Sequence, residues 1–160
     1  IQGDSELGPR ALGNRSIVCN SCDSKVKDKL NFGIKFREWY RPFAPVCRQV
    51  DMHKYFDKVG NSEYMSYSPY VKNEYRDILK AVTHIDGSAR LQTVTDSSHR
   101  LFYDILNYMD SVGMVPVILN TSFNIKGKPI LNSIYDALMV MNETQLDYVY
   151  CEGFLFKKMK

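Results

Sequence analysis

Residues 97–138 spell out a helix, a buried strand, a polar loop and a second helix, and this order constrains the fold most. After Ser97 or Ser98, the residues Leu101, Phe102, Ile105, Leu106, Met109 and Val112 recur at helical spacing, and Gly113 supplies a stop. The short apolar run at 115–119 has the pattern of a central strand covered on both faces. At its carboxyl end stand Asn120, Thr121, Ser122, Phe123 and Asn124. Ser133-Ile134-Tyr135-Asp136 then reads as a capping box for a helix carrying Ala137, Leu138, Val140 and Met141.

The flanking segments are consistent with this core. Asp23 or Ser24 can cap a helix through Val26, Leu30 and Ile34, which Pro42 and Pro45 would end by forcing extended backbone. A strand is expected over 43–48. Strand character over 63–71 is weaker, and 81–86 and 88–94 read as two strands joined by a hairpin at Asp86-Gly87. Residues 148–151 and 154–157 close the chain as strands around Gly153. Strands and helices alternate irregularly, so the fold class is α/β with a mixed sheet, and residues 1–160 suit a single domain.

Composition excludes several classes. No apolar run approaches the roughly 20 residues that span a bilayer, so no membrane role is expected. A net charge of +3 lacks the concentrated basic patch of a nucleic-acid surface. Cys19 and Cys22 are spaced as C-x-x-C, but Cys47 and Cys151 are isolated and His53, His84 and His99 have no paired ligand spacing. Reduced thiols in the cytoplasm, with no protein-held metal, are the expectation. Ile1-Gln2-Gly3-Asp4 carries no initiator Met, which reads as a domain excised from a longer protein.

Three segments carry groups suited to oxyanions. Lys35, Arg37 and Arg41 crowd one short stretch, and Trp39, Tyr40, Pro42 and Pro45 are expected to hold it rigid. Arg offers a planar fork of donors and Lys a compact charge, both matched to phosphate. A solvated basic face paired with Glu38 is the bland alternative. Arg90 alternates with Ala89 and Leu91 on the expected strand, aimed at a cleft or simply at water. Thr121 and Ser122 sit where ligands bind in open α/β sheets, or satisfy their own turn. His84 and Asp86 read as a local orienting pair rather than a proton shuttle. Gly127-Lys128 is not a P-loop, because Pro129 follows where Ser or Thr is needed.

Together four motifs resemble the C-terminal domain of O-carbamoyltransferases, the nodulation and antibiotic-tailoring enzymes. They are the opening Gly8-Pro9-Arg10-Ala11-Leu12-Gly13-Asn14-Arg15-Ser16, the Lys35-Phe36-Arg37-Glu38 and Arg41-Pro42-Phe43-Ala44-Pro45 segment, His84-Ile85-Asp86-Gly87-Ser88-Ala89-Arg90, and Asn120-Thr121-Ser122-Phe123-Asn124. The chain is also similar to the broader YrdC/Sua5-type fold. The resemblance implies a YrdC-like twisted mixed sheet with flanking helices that binds ATP, with Mg²⁺ accompanying it, and carbamoyl phosphate. Carbamoyl adenylate would form here, and a separate N-terminal metal-binding domain of the same protein, absent from this chain, would transfer the carbamoyl group to an acceptor hydroxyl. On this resemblance Lys35, Arg41, Arg90 and Ser122 hold carbamoyl phosphate or the adenylate phosphate. Arg37, Asn120, Thr121 and Asn124 neighbour the nucleotide. Arg10 and Arg15 match the opening motif, and the stretch from Cys19 to Cys22 departs from the family pattern. Two rivals remain: a non-catalytic YrdC-like module binding nucleotide or RNA, and a threonylcarbamoyl-AMP synthase-like enzyme using bicarbonate and threonine.

Overall fold

The apolar run after Gly113 becomes an inner strand of a four-stranded mixed sheet. In the computed structural model, which describes residues 1–159, β1 (Ser16–Asn20), β6 (Val117–Ser122), β2 (Ala44–Arg48) and β5 (Gln92–Val94) lie side by side in that order. β2 runs antiparallel to β6, with Cys47 opposite Val117, and parallel to β5, with Val46 opposite Gln92. Both faces of the inner strands are buried, which is why they read as continuous apolar runs rather than alternating ones. The fold class is therefore α/β with a mixed sheet, as the sequence implies.

The described residues group into two compact units. One holds Ile1–Ile17, Lys27–Arg41 and the residues from Thr121 onward; the other holds Val18–Val26 and Pro42–Asn120. In the second unit α4 (Arg100–Ser111) lays Phe102, Leu106 and Met109 against Val46, Val94 and Ile118, as its 3.6-residue spacing requires. Arg48 fastens that helix to the sheet, donating from Nη1 to Asn107 and from Nη2 to Asp110, both at 2.6 Å, and from Nε to Asp51. The cap of α4 is His99 rather than a serine. Its Nδ1 accepts from Phe102 N–H at 3.1 Å and its ring stacks on Phe102. Ser98 is occupied one turn earlier, exchanging hydrogen bonds with Thr95.

Of the strands expected in this unit, one does not form and others are cut short. Residues 81–86 make turns, with the N–H groups of Val82 and Thr83 both returning to Leu79 O. His84 and Ser88 then close a tight loop in which Gly87 adopts φ 82°; a Cβ there would lie 2.7 Å from the Arg76 guanidinium carbon. Asp86-Gly87 is thus a turn without the hairpin. Of 63–71, only β4 (Tyr70–Val71) is a strand, paired with β3 (Phe56–Asp57) beside the short helices α2 (Met52–Tyr55) and α3 (Asn73–Arg76). The rest of the segment meets residues 87–93 through separate backbone bonds, Leu91 N–H to Tyr67 O at 3.2 Å and Ala89 N–H to Pro69 O at 2.9 Å, while Ser62 Oγ donates to Leu91 O and Thr93 Oγ1 accepts from Ser62 N–H. The strand expected over 88–94 shortens accordingly to β5.

In the first unit α1 (Val26–Gly33) ends at Gly33, well before Pro42. Lys35 N–H turns back to Leu30 O at 2.7 Å, a C-terminal closure that stops the helix locally. Gly33 also lies tight against Gln145, whose N–H donates to Gly33 O. α5 (Ile134–Glu143) carries the expected capping box, Ser133 Oγ accepting from Asp136 N–H while Asp136 accepts from Ser133 N–H. β7 (Tyr148–Cys151) and β8 (Phe154–Lys157) form the closing hairpin around Gly153. Arg15, buried, donates from Nη1 to the carbonyls of Gln2, Gly3 and Asn14, and Glu6 gathers the N–H groups of Leu12, Asn14 and Arg15. Those bonds shape the opening loop. Among the described residues no helix is long and apolar enough to cross a membrane.

Candidate anion-binding site

Two backbone devices in the first unit bring Lys35 to Ser122. The closure of α1 buries Lys35 to 3% exposure, and Phe36 beyond it takes the left-handed region at φ 51°. Such a conformation costs a bulky residue on the order of 1–3 kcal/mol and recurs at functional sites. On the facing segment Phe123 is buried, its N–H donating to Arg15 O and its carbonyl accepting from Leu131 N–H. β6 ends at Ser122 and the chain bends at Phe123, Asn124 N–H returning to Ser122 O at 3.1 Å, which brings the two side chains together with Ser122 Oγ donating to Asn124 Oδ1 at 2.8 Å. Lys126 N–H donates to Lys35 O at 3.0 Å and joins the two segments.

At the junction Lys35 Nζ donates to Ser122 O, to Ser122 Oγ at 3.2 Å and to Asn124 Oδ1 at 2.8 Å. Burial, and secondarily the Arg37 charge, draw the ammonium down from 10.5 to about 7. Outside this knot opens a polar cleft of about 350 Å³, lined by Lys35, Arg37, Arg41, Ser122, Asn124 and Lys126. Glu38 stands among these cations, accepting from Arg41 Nε at 2.8 Å and from Lys126 Nζ at 3.1 Å. Hydrogen bonds from its own backbone, then from Lys126 and Arg41, hold its carboxyl down to about 2. Arg37 is anchored through Asn31, fully buried, whose Oδ1 accepts from Arg37 Nε at 2.8 Å while its Nδ2 donates to Trp39 O. Burial, then Arg41, lower the proton affinity of that guanidinium.

Of the residues singled out in the sequence, Lys35, Arg37, Arg41, Ser122 and Asn124 therefore share one cleft. Thr121 is half-buried beside them and does not line it. Arg90 and Asn120 belong to the second unit. Arg90 is exposed there, just before β5, and Asn120 is buried and donates from Nδ2 to Gln92 Oε1 at 2.9 Å. His84 and Asp86 meet through a third residue, as Ser88 Oγ donates to Asp86 at 2.7 Å and lies 3.1 Å from His84 Nδ1. The four cysteines are free thiols, and Arg10 is exposed.

The rigidity expected from Trp39 and Tyr40 has another source. Both rings are exposed, packed edge-on against each other, and Asn31 does the anchoring. Asn31 and Lys126 are the residues that reading the sequence misses, whereas Glu38 pairs with Arg41 as its place in the basic segment suggests. Asn31 is buried next to Leu30 in α1, where an amide gives no periodic signal. Lys126 lies in a loop, distinguishable from solvent charge only by what faces it.

A cleft with four cations, one carboxylate and a hydroxyl can hold a multiply charged oxyanion once Glu38 yields. A family profile described as "Carbamoyltransferase C-terminus" matches residues 1–158. The chain belongs to that family. Nodulation protein NolNO of Sinorhizobium fredii is 40% identical over 99% of this chain, which covers 24% of that protein. Nodulation protein U of Rhizobium tropici is 37% identical, again over 99% of the chain and 27% of the relative. The 3'-hydroxymethylcephem-O-carbamoyltransferase of Streptomyces clavuligerus is 42% identical over 85% of the chain and 26% of the relative. The chain thus spans about a quarter of the length of these relatives.

Proposed function

We propose that this chain is the carbamoyl-activating part of an O-carbamoyltransferase. It binds ATP and carbamoyl phosphate and forms carbamoyl adenylate, which a separate N-terminal domain transfers to an acceptor hydroxyl. The observation that carries this reading is the cationic cleft around Lys35 and Ser122 in a member of a carbamoyltransferase family.

The chemistry asks for alignment and charge relief more than for an acid or base. Carbamoyl phosphate first gives up its phosphate to water, leaving carbamate. A carbamate oxygen then attacks the α-phosphorus of ATP, the bond to the bridging oxygen of the β-phosphate breaks, and pyrophosphate leaves. Negative charge grows on the leaving group and on the α-phosphate oxygens, where fixed donors in a partly desolvated cleft act most strongly. Lys35 and Arg41 would neutralise the reacting phosphates, Ser122 would supply a hydrogen bond, and Arg37, Thr121 and Asn120 would neighbour the nucleotide. Arg90 would be a further ligand for phosphate. Glu38 is the one carboxylate among the described residues lining the cleft, and it is committed to Arg41 and Lys126. Mg²⁺ would therefore arrive with ATP, held mainly by phosphates and water.

Incubation with radiolabelled pyrophosphate and ATP tests the reading. Exchange of label into ATP that depends on carbamoyl phosphate is the expected result. Exchange that requires threonine and bicarbonate instead would mark a threonylcarbamoyl-AMP synthase. No exchange with either, together with retained nucleotide binding, would leave a non-catalytic module.

A further inference from the structure

Lys35 has three N–H donors, and all three are engaged within the protein, by Ser122 O, Ser122 Oγ and Asn124 Oδ1. Ser122 has one hydroxyl proton, and it is directed to Asn124 Oδ1 at 2.8 Å. Both lone pairs of the Asn124 amide oxygen are therefore filled, one by an ammonium and one by a hydroxyl. The amide cannot sit the other way round. Its nitrogen donates to Lys128 O at 2.9 Å, and a flip would turn NH₂ against both the ammonium and the hydroxyl.

We propose that Asn124 is a positioning residue, holding Lys35 charged and the Ser122 proton turned inward, and that it does not itself contact the ligand. The inference rests on the anion-binding reading of the cleft, reassigns one of its expected nucleotide neighbours, and replaces the hydrogen bond from Ser122 to the phosphates with one held on Asn124. Of the side-chain acceptors around Lys35, Ser122 Oγ at 3.2 Å is the longer contact and Asn124 Oδ1 at 2.8 Å the shorter. An entering phosphate oxygen meets Arg37, Arg41 and Lys126 first and then takes the place of Ser122 Oγ on the ammonium. Asn124 stays bound throughout and keeps a proton on a lysine that burial would otherwise strip. The charged groups around Lys35 are Arg37, Glu38 and Arg41 on its own segment and Lys126 on the facing one. Three of these four disfavour the ammonium, which leaves neutral acceptors such as Asn124 to stabilise it.

The test follows Lys35 by ¹⁵N-detected side-chain NMR across pH, and measures binding of inorganic pyrophosphate by calorimetry at pH 6 and pH 8. Asn124→Ala should lower the Lys35 titration midpoint. For one pH unit of midpoint lost, its pyrophosphate affinity should fall about twofold at pH 6 and about ninefold at pH 8. Asn124→Asp is the isosteric control; its carboxylate should move the midpoint upward. A direct ligand contact would instead cost the same factor at both pH values with the midpoint unmoved, and that result, or a midpoint indifferent to both variants, overturns the proposal. Absence of pyrophosphate binding by the unmodified chain would sink the anion-binding reading, while the two midpoints would still decide the role of Asn124.

Discussion

Replacing Lys35 by Met should erase a pH dependence of folding stability that this one side chain creates. Burial takes the ammonium from 10.5 to about 7 in the folded chain. At about 1.4 kcal/mol for each tenfold change in proton affinity, the full effect is roughly 5 kcal/mol. The sign follows from proton counting. Between pH 7 and 10.5 the unfolded chain holds more protons on this residue than the folded chain, so stability rises with pH across that window. Below pH 7 both states are charged and the whole penalty is present. Above 10.5 both are neutral and it has gone. Between pH 7 and pH 9 Lys35 should therefore add about 2 kcal/mol. Methionine leaves Ser122 O and Asn124 Oδ1 without that donor, at about 1–3 kcal/mol each, but this loss does not vary with pH. Urea unfolding followed by circular dichroism at pH 7, 8 and 9 would read the difference between the two proteins. Parallel stability–pH curves would refute the argument, since they would mean that Lys35 keeps its ordinary proton affinity and is open to water. The same variant should lose pyrophosphate binding.

Three further outcomes follow from the same geometry. Glu38→Gln should leave the urea midpoint unchanged and raise pyrophosphate affinity severalfold at low salt, because the carboxylate competes with the ligand for Arg41 and Lys126; weaker binding by calorimetry would show that Glu38 belongs to the ligand's own contacts. Arg90→Ala, at an exposed position, should fold normally yet largely lose carbamoyl-phosphate-dependent pyrophosphate exchange, and undiminished exchange would remove Arg90 from the site. Phe102→Ala should cost about 3–5 kcal/mol in the same denaturation assay, because the ring is 1% exposed between α4 and the sheet; a loss under 1 kcal/mol would mean the core refills the space.

Much of this molecule is written locally. The stripe from Leu101 to Met109, the capping box at Ser133 and Asp136 and the strands either side of Gly153 depend on neighbours within a few residues, so their order in the chain is enough to place them. The α/β class followed from those elements, and the family from four motifs in sequence. Strands that depend on distant partners were not legible in the same way. Residues 81–86 have strand-like composition, but Leu79 O captures their N–H groups first, and the loop at Gly87 closes on itself. Residues 63–71 meet 87–91 only at isolated antiparallel bridges, Tyr67 with Leu91 and Tyr70 with Ser88, and their partners lie too far along the chain to be read from local pattern.

The candidate site divides along the same line. The chain alone determined which side chains can bind an oxyanion, because a guanidinium, an ammonium and a hydroxyl carry that capacity wherever they lie. Only the tertiary structure decided that Lys35 and Ser122, 87 residues apart, would meet, that Asn31 rather than Trp39 would anchor Arg37, and that Lys126 would join Arg41 on Glu38. The reason is physical: proton affinity, donor direction and charge balance are set by what packs around a group, and packing joins residues that sequence separation keeps apart.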